Sequence, residues 1–75
     1  MIHQYKSNGY AIVLDVNSGS VHVVDDIVYD CIALLDQGCS NEEVTEKLSA
    51  SYSGEDLKTA LKEIQELTDE GMLFT

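Results

Sequence analysis

The most reactive side chains in this sequence are two cysteines, Cys31 and Cys39, and two histidines, His3 and His22. Such groups hold zinc, or act together as a nucleophile and its base. A structural zinc site needs four ligands at close spacing, whereas Cys31, Cys39 and His22 offer three that are far apart in the chain. Cys31 falls in an apolar helical stretch and is predicted to be a core residue. The sequence therefore predicts neither a metal site nor a catalytic thiol.

Charge is the second property that bears on function. The chain has four lysines, no arginine and fourteen acidic residues, which give a formal net charge of −10. Nucleic-acid phosphates are bound largely through Lys and Arg, so this composition disfavours a nucleic-acid partner. The acidity favours a neutral or basic partner, or is simply a solubilising surface; both interpretations stay open.

The length of 75 residues limits the class of protein. A domain of this size buries roughly 60 to 65% of its unfolded surface, which suits a binding module better than an enzyme with a deep cavity. No apolar run has the length of a membrane span, and the N-terminus lacks the pattern of a signal peptide. A single cytoplasmic domain with no membrane partner is the expectation.

The elements that must position any site begin with three strands, predicted at about 2–7, 10–16 and 20–24. Asn8-Gly9 is a strong signal for a two-residue hairpin turn, because both residues tolerate positive φ. Alternation in the second strand gives one apolar face of Tyr10, Ile12, Leu14 and Val16, and a second face that includes Ala11 and Val13. Two successive hairpins make the second strand central and the third an edge strand. By the same alternation, Val21 and Val23 are predicted to be core residues.

Three helices follow, predicted at about 26–37, 41–50 and 54–70. Asp25 or Asp26 is expected to cap the first by accepting a backbone N–H, and Gly38 to end it. Ser40 with Glu43 has the form of a capping box for the second helix. The predicted fold is α+β: a winged helix-turn-helix in which a three-stranded antiparallel sheet precedes three helices, as one domain over residues 1–75.

A more specific indication comes from Asn8-Gly9-Tyr10, from "IVLDVNSGSVHVVDD" at Ile12 to Asp26, and from the "IVYD" that follows. This run resembles the N-terminal domain of the radical S-adenosylmethionine maturases that form thioether cross-links in six-cysteines-in-forty-five-residues (SCIFF) peptides. That domain is a RiPP recognition element, similar to the small peptide chaperone of pyrroloquinoline quinone biosynthesis. The resemblance extends over essentially the whole chain and is densest from Asn8 to Asp30.

The resemblance implies that the domain captures a precursor peptide and has no catalytic residues of its own. The leader of the precursor is expected to lie as an added strand against the third strand, in a groove closed by the third helix. The backbone ladder would come from Val21, His22, Val23 and Val24, and the opposite wall from Leu57, Lys58, Leu61, Lys62 and Gln65. Lys58 and Lys62 would receive leader carboxylates or serve as ordinary surface charges; both interpretations stay open.

The chain departs from the full maturases, which carry a CxxxCxxC motif for an iron-sulfur cluster. With only Cys31 and Cys39, it is expected to hold no cofactor, and clusters and S-adenosylmethionine would belong to a separate catalytic domain. The apolar end Met72-Leu73-Phe74 favours a domain excised from the N-terminus of such an enzyme over a stand-alone homologue. Because an open edge strand can also pair with its own copy, an acidic interaction or dimerisation module is the alternative, and a nucleic-acid binder is less favoured.

Overall fold

The computed structural model describes residues 2–74, which form three strands followed by three helices. The elements are β1 (Ile2–Ser7), β2 (Tyr10–Asp15), β3 (Ser20–Val24), α1 (Asp26–Asp36), α2 (Asn41–Leu48) and α3 (Gly54–Asp69). The sheet is antiparallel in the order β1-β2-β3. The predicted α+β winged-helix arrangement is therefore confirmed.

Local turn chemistry sets the sheet order. Asn8 and Gly9 join β1 to β2 with φ of 52° and 82°, as the predicted hairpin requires. β2 ends at Asp15, one residue before the predicted end, because the fully buried Asp15 carboxylate closes the next turn. It accepts the backbone N–H of Asn17 at 3.0 Å and that of Ser18 at 3.4 Å.

The two faces of the sheet have different surroundings. Ala11, Val13 and Asp15 of β2 are buried beneath the helices. The alternate face of β2 points away from them, and the pairing of Leu14 with Val21 places β3's exposed valines on that outer face. The exposed large hydrophobic side chains of residues 2–74 are Tyr5, Tyr10, Val16, Val21 and Val23. Strand alternation places Tyr5, Tyr10, Val21 and Val23 on this outer sheet face, and Val16 lies in the turn after β2.

The prediction that Val21 and Val23 are core residues is wrong, since their side chains are 62% and 64% exposed. Strand alternation separates two faces but does not say which one meets the helices. In this register His22 pairs with the buried Val13, so His22 and Val24 are the inward-facing residues of β3.

The core lies between the inner face of the sheet and the three helices. Its buried members are Val13, Val28, Cys31, Ile32, Val44, Leu57, Ala60, Ile64 and Leu73. Leu73 belongs to the segment after α3, where Gly71 with φ of 74° turns the chain back. The apolar C-terminal segment is thus part of this domain's own core. Among the helices of residues 2–74, none is both long enough and apolar enough to cross a bilayer.

The helix boundaries follow the predicted caps with one exception. Gly38 turns the chain after α1 with φ of 98°, and Ser40 and Glu43 form the reciprocal capping box of α2. At the start of α1, Asp25 occupies the N-cap position, yet its carboxylate accepts no hydrogen bond from the helix. The predicted aspartate cap is therefore wrong, and the Asp25 side chain is left available to solvent.

Candidate functional site

The strongest candidate site is the free edge of β3 together with the groove beside it. β3 pairs with β2 on one side only, so alternate N–H and C=O groups on its other side have no strand partner within residues 2–74. The groove has β3 as one wall and α3 as the other. Its lining residues are Val21, His22, Val23, Val24, Asp25, Val28, Glu63 and Leu67.

The groove is linked to the C-terminal segment through His22 and continues beyond Asp25. His22 Nε2 lies 2.9 Å from the carbonyl oxygen of Met72, which links β3 to the segment that follows α3. In the other direction, a second hollow shares Asp25, Val28 and Glu63 with the groove and continues along α3 past Asp56. The two hollows form one cleft that follows the β3 edge and then the start of α1.

The wall on α3 is not the one predicted from the sequence. Glu63 and Leu67, one helical turn apart, face β3. Lys58 and Lys62 line neither of the two hollows of the cleft, because at 100° per residue they point away from the flank that carries Glu63 and Leu67. The structure therefore contradicts their placement opposite β3.

The other three predicted wall residues also lie elsewhere. Leu57 is fully buried in the core and cannot offer a surface to a ligand. Leu61 and Gln65 line a separate hollow on the far side of α3, with Leu35 and Phe74 among its other members. Of the predicted site, only Val21 to Val24 come together beside the groove.

Sequence reasoning missed Asp25, Glu63 and Leu67. The apolar stripe of α3 has two borders, with Leu61 on one side and Leu67 on the other. Each border was a candidate for the wall facing β3, and the stripe alone does not distinguish them. The presence of Leu67 at one border was the sequence feature that could have indicated the flank of α3 facing β3.

The opposite edge of the sheet offers a poorer template for another strand. β1 carries Lys6, whose ammonium lies 3.6 Å from the Asp26 carboxylate and 5.0 Å from the ring centre of Tyr29. A charged residue on an edge strand opposes pairing with a further strand. β3 carries no Asp, Glu or Lys between Ser20 and Val24, so it is the more permissive edge.

The cleft is strongly acidic. Asp25, Asp56 and Glu63 line it, and no lysine does. The carboxylates of these three residues form no hydrogen bond or ion pair with any residue of 2–74. They are therefore free to receive groups from a ligand.

Two titratable side chains of the helical layer, Tyr52 and Cys31, have raised pKa values. Tyr52 donates a 2.7 Å hydrogen bond to Asp30, which, with partial burial, raises the pKa of Tyr52 to about 12. Burial, with the nearby Asp30 charge, raises the pKa of the Cys31 thiol to about 11. Within residues 2–74, no three His, Cys, Asp or Glu side chains are grouped as metal ligands would be.

The two thiols are expected to differ in reactivity. Cys31 is fully buried and its raised pKa keeps it protonated, whereas Cys39 is partly exposed. With a disulfide reagent at pH 8, we expect one thiol per chain to react quickly and the second to react only when the domain unfolds. Cys39→Ser should remove the fast phase and Cys31→Ser should preserve it. Fast labelling of Cys31 in the folded chain would contradict this arrangement.

Comparison with known proteins gives a likeness among solved structures. No family model matches the chain, and no curated protein matches it. Among solved structures, it is similar to "TbiB1 in Complex with the TbiA(beta) Leader Peptide", with a TM-score of 0.68 and 18% identity. The alignment covers 97% of this chain and 88% of that one. At this identity the likeness establishes the fold, which agrees with the recognition-element fold that the sequence resemblance implies.

Proposed function

We propose that this domain binds the leader segment of a precursor peptide as a fourth strand of its sheet. The observation that carries the proposal is the unpaired edge of β3, which bears no Asp, Glu or Lys and faces an open groove. An extended peptide added to such an edge gains main-chain hydrogen bonds, and its alternate side chains enter the groove. The solved complex of the similar TbiB1 chain with a leader peptide supports the same role here.

The role proposed for the domain is recognition without catalysis. By holding the leader, it would raise the local concentration of the precursor beside a separate active site. We further propose that this active site is a radical S-adenosylmethionine maturase domain that forms thioether cross-links. The support for this step is the sequence run from Asn8 to Asp30 that resembles the recognition domain of such enzymes. Iron-sulfur clusters and S-adenosylmethionine would be held by that catalytic domain.

The proposal is tested by an amide-resolved NMR titration of the 75-residue domain. The probe is a synthetic peptide with the leader sequence of the precursor encoded beside the gene. We expect the largest shifts at Ser20 to Asp25 and at Glu63 and Leu67, because these residues form the edge and its facing wall. Amides of α2 on the far side serve as the internal reference.

Two outcomes would contradict the proposal. A leader that leaves the β3 amides unmoved would exclude strand addition at this edge. Concentration-dependent shifts of the same amides without any peptide, together with a dimeric mass in sedimentation, would indicate that the edge pairs with a second copy of the chain. The domain would then be the acidic dimerisation module kept as the alternative.

A further inference from the structure

We infer that the groove selects basic leaders, with Lys or Arg at the positions of the bound strand that face α3. This inference rests on the proposed function and names the substrate class for the same site. Of the two roles left open for Lys58 and Lys62 by the sequence, the structure disfavours the one in which they receive leader carboxylates. Neither lysine lines the cleft, and Asp25, Asp56 and Glu63 line it instead.

The geometry of an added strand determines which leader residues meet the acidic wall. A strand paired with β3 would point alternate side chains to the inner face, on the same side as His22 and Val24. Inward-facing residues of the leader would be about 7 Å apart along the strand. Asp25 stands at the end of β3 and Glu63 on the opposite wall, so both carboxylates border this inner row.

The carboxylates are also free to make new contacts. Asp25 occupies the N-cap position of α1 without capping it, and Glu63 has no partner among residues 2–74. Lys6, the lysine that lies close to the start of α1, contacts Asp26 instead. A Lys or Arg side chain of the leader would therefore supply the positive charge that the cleft lacks, whereas an acidic leader residue would be repelled.

Apolar residues complete the expected pattern. Val24, Val28 and Leu67 contribute to the apolar lining of the groove. The long methylene stems of Lys and Arg can pack on such surface while their charged ends reach the carboxylates at the rim. The favoured segment is thus an extended stretch in which basic residues alternate with others. The net charge of −10 would additionally steer such a peptide toward the domain at low salt.

The test measures leader affinity by calorimetry for the wild-type chain and two double variants. The groove variant combines Asp25→Asn with Glu63→Gln. The matched control combines Glu42→Gln with Glu46→Gln. The control removes the same charge from the exposed surface of α2, outside the groove. The probes are the synthetic leader and a copy in which every Lys and Arg is replaced by Gln. Circular dichroism establishes that each variant is folded.

We expect the groove variant to bind the leader about fivefold more weakly than wild type, and the control to bind within twofold of it. The Gln-substituted leader should bind wild type about fivefold more weakly, and the groove variant should lose this discrimination. A leader that binds wild type but is indifferent to both changes would overturn the inference and leave the proposed function standing. A leader that does not bind wild type at all would overturn the proposed function and the inference with it.

Discussion

Replacing Leu57 with alanine is expected to lower the free energy of unfolding by about 3 kcal/mol, since deleting a fully buried leucine side chain removes apolar contacts and leaves a cavity. A domain of this size has a total stability on the order of 5 to 10 kcal/mol, so the loss would be a large part of it. Urea denaturation followed by circular dichroism measures the change directly.

The same variant distinguishes the observed position of Leu57 in the core from its predicted position in the ligand groove. If Leu57 lined the ligand groove, Leu57→Ala would weaken leader binding while changing stability little. With Leu57 in the core, stability falls, and at temperatures where the variant stays folded its leader affinity should be close to that of wild type. Lys58→Ala is the matched control on the next position of α3, where we expect stability to change by less than about 0.5 kcal/mol.

Replacing Leu73 with alanine is expected to have a comparable effect, again about 3 kcal/mol. Leu73 lies after the last helix, in a position where a chain end is often poorly ordered, yet its side chain is fully buried against the core. The adjacent carbonyl of Met72 contacts the His22 ring, so the loss should also increase amide exchange in β3.

Val16→Ala provides the comparison for Leu73→Ala. Val16 is also an apolar residue just outside a regular element, but its side chain is 47% exposed. We expect its replacement to change stability by less than about 0.5 kcal/mol. Equal effects of the two substitutions would mean that the C-terminal segment is not packed as described.

Much of the fold could be predicted because its boundaries depend on local chemistry. Asn8-Gly9 specifies a hairpin through the φ values that these two residues tolerate, and Gly38 ends α1 in the same way. Ser40 and Glu43 form a capping box that depends only on a spacing of three residues. These signals need no knowledge of distant contacts, so the order and type of the elements followed from them.

The site was predicted less completely because it depends on how the elements face each other. Alternation in β3 defined two faces, but both faces of its neighbour β2 carry apolar residues, so the buried face could not be chosen. The apolar stripe on α3 likewise had two borders. The border predicted to face β3, next to Lys58, Lys62 and Gln65, is not the one that faces it in the structure. Which border meets β3 depends on the packing of α3 against α1 and α2. The pattern within a single helix does not contain that information.

The free β3 edge was predicted correctly for a different reason. Two consecutive tight hairpins place the third strand at the end of a meander, whichever face of each strand is buried. Edge position is a matter of topology, and topology follows from short connections. The groove could therefore be located on the correct strand even though its opposite wall was not identified.

The outer sheet face also bears on how the isolated domain behaves at high concentration. Tyr5, Tyr10, Val21 and Val23 are exposed on one side of the molecule, while the carboxylates lie on the helices, in the turns and at the strand ends. Mutual repulsion of molecules with net charge −10 keeps these faces apart at neutral pH. Near the isoelectric point of about 4.1 that repulsion vanishes. The colloidal stability of the protein is then expected to be lowest, with precipitation proceeding by stacking of sheet on sheet.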